Sequence, residues 1–158
     1  MEFETLKTTP LLESYSNDYG TFFRPKIEYI FMLEAEMWSR RSTCIRRKVG
    51  CVFVDPKTNA TVCAGYNGNY SNGPNQCDSL EPSLCGCTHS EISAISKSHQ
   101  SLDGSVLYCT LGCCFACAKI LINRKISKFI YLEDYRIMDG VELLKKNGII
   151  VIKYSELA

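Results

Sequence analysis

The sequence predicts an α/β protein, a three-layer α/β/α sandwich on a mixed five-stranded sheet that begins with an antiparallel hairpin. β-rich runs alternate with amphipathic segments along most of the chain, as expected of βαβ units. The first two β-rich runs are separated by Pro56-Lys57-Thr58-Asn59, a typical turn between antiparallel strands. A chain of 158 residues is long enough for one domain with a sizeable core and too short for two ordinary ones.

The N-terminal part differs in pattern from the rest. Residues 1–25 show no sustained apolar period, so we predict an irregular arm there, followed by a single domain over residues 26–158. A first helix is predicted over Lys26–Arg41, where apolar residues recur at helical spacing: Ile30, Leu33, Met37 and Trp38.

Helices and strands then alternate around one long insertion. Residues 67–88 are rich in Gly, Asn and Pro and include three cysteines. Because this insertion cannot be ordered by burying apolar surface, another interaction must hold it. The predicted strands are Val49–Asp55, Thr61–Tyr66, Val106–Leu111, Lys128–Leu132 and Ile149–Lys153, and the later helices are His89–Ser98, Cys114–Asn123 and Gly140–Lys146.

Composition and charge indicate a globular protein. The chain is 46% hydrophobic and 22% charged, with a net charge of +1. No apolar run approaches the roughly 20 residues of a membrane span, and the N-terminus lacks the features of a signal peptide, so we expect no membrane segment and a cytoplasmic location. Because acidic and basic residues are interspersed, we do not expect nucleic-acid binding. The basic cluster over residues 40–48 suits a single phosphate group.

Two short motifs contain the residue types of a catalytic zinc site. His89-Ser90-Glu91 opens one predicted helix, and Cys114-Phe115-Ala116-Cys117 opens another. One imidazole and two thiolates can hold zinc and leave a fourth position where water becomes acidic. Glu91 lies close to such a metal without binding it and can carry a proton to a leaving amine.

This spacing follows the known signature of zinc deaminases, His-x-Glu followed by Pro-Cys-x-x-Cys, with Cys113 in place of the proline. The alternative is a structural knuckle at Cys114 and Cys117 with an ordinary surface histidine. The pairing of both motifs in a chain with two histidines favours the catalytic interpretation.

The chain resembles the deoxycytidylate (dCMP) deaminases of the cytidine deaminase superfamily, of the phage and bacterial type. The resemblance extends from about Lys26 to Val151 and is carried by five blocks: residues 41–46 before Val49-Gly50, Gly65-Tyr66-Asn67-Gly68, residues 89–91, residues 110–117 and residues 130–135. Three departures are Ser90 in place of the usual alanine, Cys113 in place of proline, and Asn69-Tyr70-Ser71 where many relatives have a proline.

The resemblance implies a cytidine deaminase-like fold and a hydrolase that converts dCMP to dUMP and ammonia for thymidylate synthesis. Zinc-activated hydroxide would attack C4 while Glu91 shuttles the proton. The implied substrate contacts are the Ser90 backbone N–H to the cytosine O2, a carbonyl near Gly112 to the amine, Asn67 to the sugar, Arg46 to the 5′-phosphate and Tyr135 over the nucleotide. The plainer alternatives are a turn residue at Asn67, a solvated charge at Arg46 and a partly buried core side chain at Tyr135.

Four further cysteines, Cys44, Cys77, Cys85 and Cys87, suggest a second zinc. The resemblance implies a structural zinc that uses the cysteine before Ile45 together with ligands from the insertion, and such a site would order the insertion. The Cys85-Gly86-Cys87 spacing is tight enough that one of the pair is expected to be spare. The alternative is that all four are free or buried thiols. Cys51, Cys63 and Cys109 are expected to be small core residues on strands.

The resemblance also implies partners. We expect a small nucleotide substrate, dCTP and dTTP as effectors, and a homo-oligomer, with a hexamer suspected; were the chain viral, it would act in the host cytoplasm. Two other enzymes fit the motifs, a deaminase of another cytosine nucleotide or nucleoside and a deaminase of tRNA adenosine. A catalytically silent zinc module is a further alternative, which the retained Glu91 disfavours.

Overall fold

A computed structural model describes residues 24–81 and 83–157, so almost all of the predicted N-terminal arm lies outside the described residues. The helices found there are α1 (Ile27–Ser39), α2 (Ser90–Lys97), α3 (Phe115–Asn123) and α4 (Asp139–Lys146). The strands are β1 (Gly50–Asp55), β2 (Ala60–Tyr66), β3 (Val106–Leu111), β4 (Lys128–Glu133) and β5 (Ile150–Lys153), followed by a 3-10 turn at Tyr154–Glu156. Each predicted element is present, with ends moved by at most two residues.

The strands form one mixed sheet in the order β2-β1-β3-β4-β5. β1 is antiparallel to both β2 and β3, whereas β3, β4 and β5 run parallel to one another. The hairpin turn and the βαβ units therefore both follow the prediction. The parallel crossovers pass through α3 and α4, which accounts for their close packing on the same face of the sheet.

Helices cover both faces of the sheet. On one face, α1 packs Phe31, Met32 and Ala35 against strand residues such as Val52 and Ile130. On the other face, the buried side chains of α2, α3 and α4 pack against the opposite side of the same strands, where Phe53, Leu107 and Phe129 are fully buried. The three-layer prediction is confirmed. None of the helices in residues 24–157 that the structure describes is long and apolar enough to span a bilayer.

Two apolar stripes run along α1, and the structure shows which of them faces the sheet. The residues whose spacing predicted the helix include Ile30, Met37 and Trp38, which are 39–42% exposed. The side chains that enter the core are Tyr29, Phe31, Met32 and Ala35. Both stripes have helical spacing because this helix is apolar on two sides, and periodicity alone does not tell which side faces the sheet.

The two motifs at residues 89–91 and 114–117 lie at the same end of the sheet. β1 begins there, and β2, β3 and β4 all end there, because Gly50 pairs with Tyr66 and Leu111 pairs with Glu133. α3 starts directly after β3 at this end, and α2 starts there after the insertion. Ligand sites of α/β sheets commonly lie at such an edge, beyond the carboxyl ends of the strands.

Candidate functional site

His89, Cys114 and Cys117 form a compact cluster at the adjoining N-termini of α2 and α3. The His89 Nδ1 atom lies 3.4 Å from each of the two Sγ atoms. A tetrahedral zinc with Zn–S of about 2.3 Å and Zn–N of about 2.0–2.1 Å would separate its nitrogen and sulfur ligands by roughly 3.5 Å. The three side chains therefore fit zinc in both chemistry and spacing.

Local structure prepares Cys114 to act as a thiolate ligand. Cys114 is the N-cap of α3, and its Sγ accepts a hydrogen bond from the backbone N–H of Cys117 at 3.4 Å. Hydrogen bonds from the Cys117 thiol and from His89 lower the pKa of Cys114 to about 4, against the opposing effect of burial. The hydrogen bond to Cys114 in turn raises the pKa of His89. A helix N-terminus favours negative charge at this position as well.

Glu91 stands beside this cluster on the first turn of α2 and is only 5% exposed. Burial raises the pKa of its carboxyl group, while its own backbone amide, His89 and the Ser90 hydroxyl act in the opposite direction. Glu91 is not a member of the three-ligand cluster. A carboxyl group whose pKa moves toward neutrality is suited to accept a proton and return it.

One cavity connects the cluster with the side chains predicted to bind substrate. It is lined by His89, Glu91 and Cys114 and by all five predicted contact residues, Arg46, Asn67, Ser90, Gly112 and Tyr135. Arg46 and Tyr135, which are almost 90 positions apart in the sequence, thus line the same cavity. The structure brings these residues together, and their individual roles remain predictions.

Asn67 is held by hydrogen bonds within the protein. Its Oδ1 accepts from the Ser42 hydroxyl at 2.7 Å and from the Val49 backbone N–H at 2.8 Å. Its Nδ2 donates to the Arg47 carbonyl at 2.7 Å. Asn67 therefore braces the loop between α1 and β1 and has one amide hydrogen left for a ligand.

The two arginines at the cavity have partners at its rim. Arg46 donates to the backbone carbonyl of Leu80 in the insertion. Arg47, which belongs to the basic cluster predicted to suit a phosphate and is the next candidate after Arg46, lines the same cavity and forms an ion pair with Glu133. The charge pattern could suggest Arg47 as a cavity residue, but its pairing with Glu133 joins positions 86 residues apart and has no signal in the sequence.

Three of the four cysteines of the predicted structural zinc site form one group, and Cys77 lies close to two of them. The Sγ atoms of Cys44, Cys85 and Cys87 all lie within 4.8 Å of one another. The Cys77 Sγ lies 3.8 Å from that of Cys44 and 3.6 Å from that of Cys87. Tetrahedral zinc bound by four thiolates at about 2.3 Å would set its sulfur atoms roughly 3.8 Å apart. Both Cys85 and Cys87 belong to the cluster, so the geometry gives no reason to treat either as spare.

The remaining thiols are buried or partly buried. Cys51 and Cys109 are fully buried core residues, and Cys63 is partly buried on β2. Cys113 is fully buried as well, and among the described residues it belongs to neither thiol cluster. Burial raises the pKa of the Cys113 thiol, which disfavours its ionised, metal-binding form.

A second cleft, which the sequence did not predict, lies behind the turn at Asn67 and Gly68. It has a volume of about 590 Å³ and is lined by Gly68, Thr88, Arg41 and Lys97 among others. The Tyr66 ring stacks on Trp38 with centroids 6.2 Å apart. Lys97 Nζ and the Arg41 guanidinium carbon lie 4.8 and 5.8 Å from the centre of the same ring. The cleft thus combines two cations with aromatic surface.

A His-Cys-Cys cluster beside a buried carboxyl group is the arrangement expected of the zinc-dependent deaminases. Residues 25–133 match the family model of the cytidine and deoxycytidylate deaminase zinc-binding region, and the chain belongs to this family.

Relatives within the family are similar over different lengths. Deoxycytidylate deaminase of Saccharomyces cerevisiae is 28% identical over 158 residues, which cover 92% of this chain and 50% of the yeast protein. The ComE operon protein 2 of Bacillus subtilis is 31% identical over 134 residues, 80% of this chain and 70% of that protein. The chain thus spans about half the length of the yeast relative.

Among solved structures, the dCMP deaminase of cyanophage S-TIM5 in complex with dCMP and dUMP is similar over nearly its whole length. The two chains share 33% sequence identity with a TM-score of 0.74, and the match covers 83% of this chain and 98% of the phage chain.

Proposed function

We propose that this protein is a hydrolase that deaminates dCMP to dUMP and ammonia and so supplies dUMP for thymidylate synthesis. The observation that carries the proposal is the buried Glu91 carboxyl beside the His89, Cys114 and Cys117 cluster, in a cavity that also contains Arg46 and Arg47. Family membership and the likeness to a phage enzyme solved with dCMP and dUMP support it.

His89, Cys114 and Cys117 would hold the catalytic zinc, which supplies Lewis-acid chemistry and an acidified water when bound. Glu91 would take up one proton of the attacking water and deliver it to N3 of the cytosine, and would later carry the second proton of that water to the departing ammonia. The backbone N–H of Ser90 and a carbonyl near Gly112 would orient the base, and the remaining amide hydrogen of Asn67 would contact the sugar. Tyr135 would cover the nucleotide from the cavity rim.

The 5′-phosphate would be bound by the arginine pair at the cavity mouth. Arginine is suited to a phosphate because its planar guanidinium donates two parallel hydrogen bonds. Arg47 is balanced by the exposed carboxylate of Glu133, and a phosphate dianion would compete with that carboxylate for the same guanidinium. Arg46 would offer its free donors while one N–H group stays on the Leu80 carbonyl.

The four-cysteine cluster would hold a second, structural zinc. The cluster joins Cys44, which precedes β1, to Cys77, Cys85 and Cys87 of the insertion. Metal binding by four thiolates supplies folding free energy on the order of 10 kcal/mol in small domains. This would order a segment whose Leu80 and Leu84 side chains are largely exposed and add little to a core.

Regulation and assembly would use two other surfaces. The second cleft suits a nucleotide effector such as dCTP or dTTP, because Arg41 and Lys97 can face phosphates and Tyr66 can face a base. Homo-oligomerisation, with a hexamer as the expected state, would cover the apolar outer side of α1 formed by Ile27, Ile30, Met37 and Trp38.

An ammonia-release assay with cytidine, deoxycytidine, CMP, dCMP and dCTP tests the proposal, with zinc measured in the same samples. We expect turnover to depend strongly on the 5′-monophosphate. Equal turnover of deoxycytidine and dCMP would indicate a nucleoside deaminase instead. Zinc-loaded protein that releases no ammonia from any of these compounds would overturn the proposal, and a tRNA adenosine substrate or a silent zinc module would then be tested.

A further inference from the structure

We propose that the Ser90 side chain is a positioning residue that holds the Glu91 carboxylate in one orientation, with one oxygen fixed and the other left for proton transfer. The inference deepens the proposed deamination and rests on it. It concerns the Ser90 hydroxyl, whereas the substrate contact described above uses the backbone N–H of the same residue.

The geometry at the start of α2 supports this role. The Ser90 hydroxyl donates a hydrogen bond to Oε2 of Glu91 over 3.0 Å. Ser90 is 1% exposed, so bulk water does not compete for this bond. The other neighbour of the hydroxyl is the Cys109 Sγ on β3, at 3.8 Å. A thiol is a weak hydrogen-bonding group, so the carboxylate is the stronger partner.

A proton shuttle requires a fixed carboxylate plane. The last torsion of a glutamate side chain has a broad, roughly two-fold preference, so the carboxylate rotates easily unless a neighbour restrains it. Glu91 has to reach two positions on the substrate with the same group, and a rotated carboxylate would lengthen at least one of the transfers. The hydrogen bond from the Ser90 hydroxyl to Oε2 restrains that torsion in addition to the Glu91 backbone amide, and it directs Oε1 toward proton transfer.

Strand β3 supports the hydrogen bond between Ser90 and Glu91 from below, through Cys109. Cys109 lies opposite Cys51 in the β1–β3 register, and both side chains are fully buried beneath α2. The Ser90 hydroxyl therefore lies between buried residues of β3 and the Glu91 carboxylate. Close packing on the β3 side restricts the Ser90 side chain to one rotamer.

Ser90→Ala tests the inference, with Ser90→Thr as the variant that retains the hydroxyl. A hydrogen bond of ordinary strength corresponds to a roughly three- to tenfold loss of kcat in the alanine variant. KM and zinc content should not change, because the backbone N–H and the metal ligands are untouched. Ser98→Ala is the matched control, since Ser98 ends the same helix and bonds the Gln100 carbonyl. The threonine variant should recover most of the lost kcat.

Crystal structures of the wild type and of Ser90→Ala provide a readout that does not depend on turnover. We expect a single Glu91 conformer in the wild type, and a rotated carboxylate or two conformers in the alanine variant. An unchanged Glu91 conformer, or an unchanged kcat in an active enzyme, would overturn the inference. A wild type with no deaminase activity would contradict the proposed function instead, and the crystallographic comparison would still decide the role of Ser90.

Discussion

Replacing Gly140 with alanine should weaken the catalytic metal site without changing a ligand. Gly140 lies in the first turn of α4, and a Cβ added there would lie 2.5 Å from the Cys113 carbonyl oxygen and 2.6 Å from the Cys114 carbonyl carbon and oxygen. Favourable contacts between non-bonded carbon atoms lie at about 3.5–4.0 Å, so the methyl group would overlap with backbone by roughly 1 Å. Either α4 withdraws and no longer supports the backbone at Cys113 and Cys114, or that backbone moves and carries the Cys114 thiolate with it.

The expected cost follows from this overlap. Overpacking typically destabilises a core by 1–3 kcal/mol. Since the overlap involves rigid backbone and since Val141 and Leu144 on α4 are fully buried, we expect a value of about 2–3 kcal/mol, measured as the loss in free energy of unfolding. Zinc competition against a chelator should show weaker binding at the His89 cluster, with a parallel loss of turnover.

Gly148→Ala is the control for this experiment. Gly148 has a φ of +78°, and nothing lies within 4 Å of an added Cβ. The substitution should cost about 1 kcal/mol through backbone strain alone and leave zinc binding intact. Wild-type zinc affinity in Gly140→Ala would refute the reasoning, and so would an equal loss of zinc affinity in both variants.

Three further predictions concern the chemistry, the second metal and the substrate. Glu91→Ala should lower turnover by about 10²–10⁴-fold or more and keep zinc bound, and near-normal turnover would reject Glu91 as the proton shuttle. The wild type should contain two zinc ions per chain by elemental analysis, whereas Cys77→Ser should contain one; a wild type with a single zinc and no loss on substitution would rule out the structural site. Arg46→Gln should lower kcat/KM for dCMP by about 10- to 150-fold and leave any activity on deoxycytidine largely unchanged, with partial recovery in Arg46→Lys. Equal losses on both substrates would assign Arg46 to the fold, through its bond to the Leu80 carbonyl, and move phosphate binding to Arg47.

The regular elements could be predicted because each carries a local signal. Val106–Leu111 is a short run of apolar, aromatic and β-branched residues, which favours a buried strand, and all six of its positions are buried in the structure. The face that α1 turns to the sheet could not be predicted, since Phe31 and Met32 on one side compete with Ile30 and Trp38 on the other. That choice depends on the shape of the sheet beneath the helix, which the sequence of one helix does not contain.

The catalytic cluster was predictable for a related reason. His89 and Cys114 are the N-cap residues of α2 and α3, and Cys117 lies in the first turn of α3. Their spacing within each short motif therefore sets the direction in which their side chains point. The contacts that were missed are long-range. One example is Asn67, which accepts hydrogen bonds from Ser42 and Val49. Another is the ion pair between Arg47 and Glu133. Both sets of contacts depend on how the chain folds and not on local sequence. The second cleft has the same origin, since it forms between α2, the insertion and the end of β2.

The structure of the segment between the two candidate metal clusters predicts that loss of one metal would not remove the other. Cys87 belongs to the four-cysteine cluster, His89 belongs to the catalytic cluster, and Thr88 lies between them. Thr88 exchanges backbone hydrogen bonds with Gly68, at 2.8 and 3.1 Å, so it is anchored to the end of β2 by a two-residue bridge. His89 is also the N-cap residue of α2, whose Ala94 is fully buried against the sheet. If the insertion lost its metal, disorder would therefore stop at this bridge, and His89 would keep its place at the start of α2.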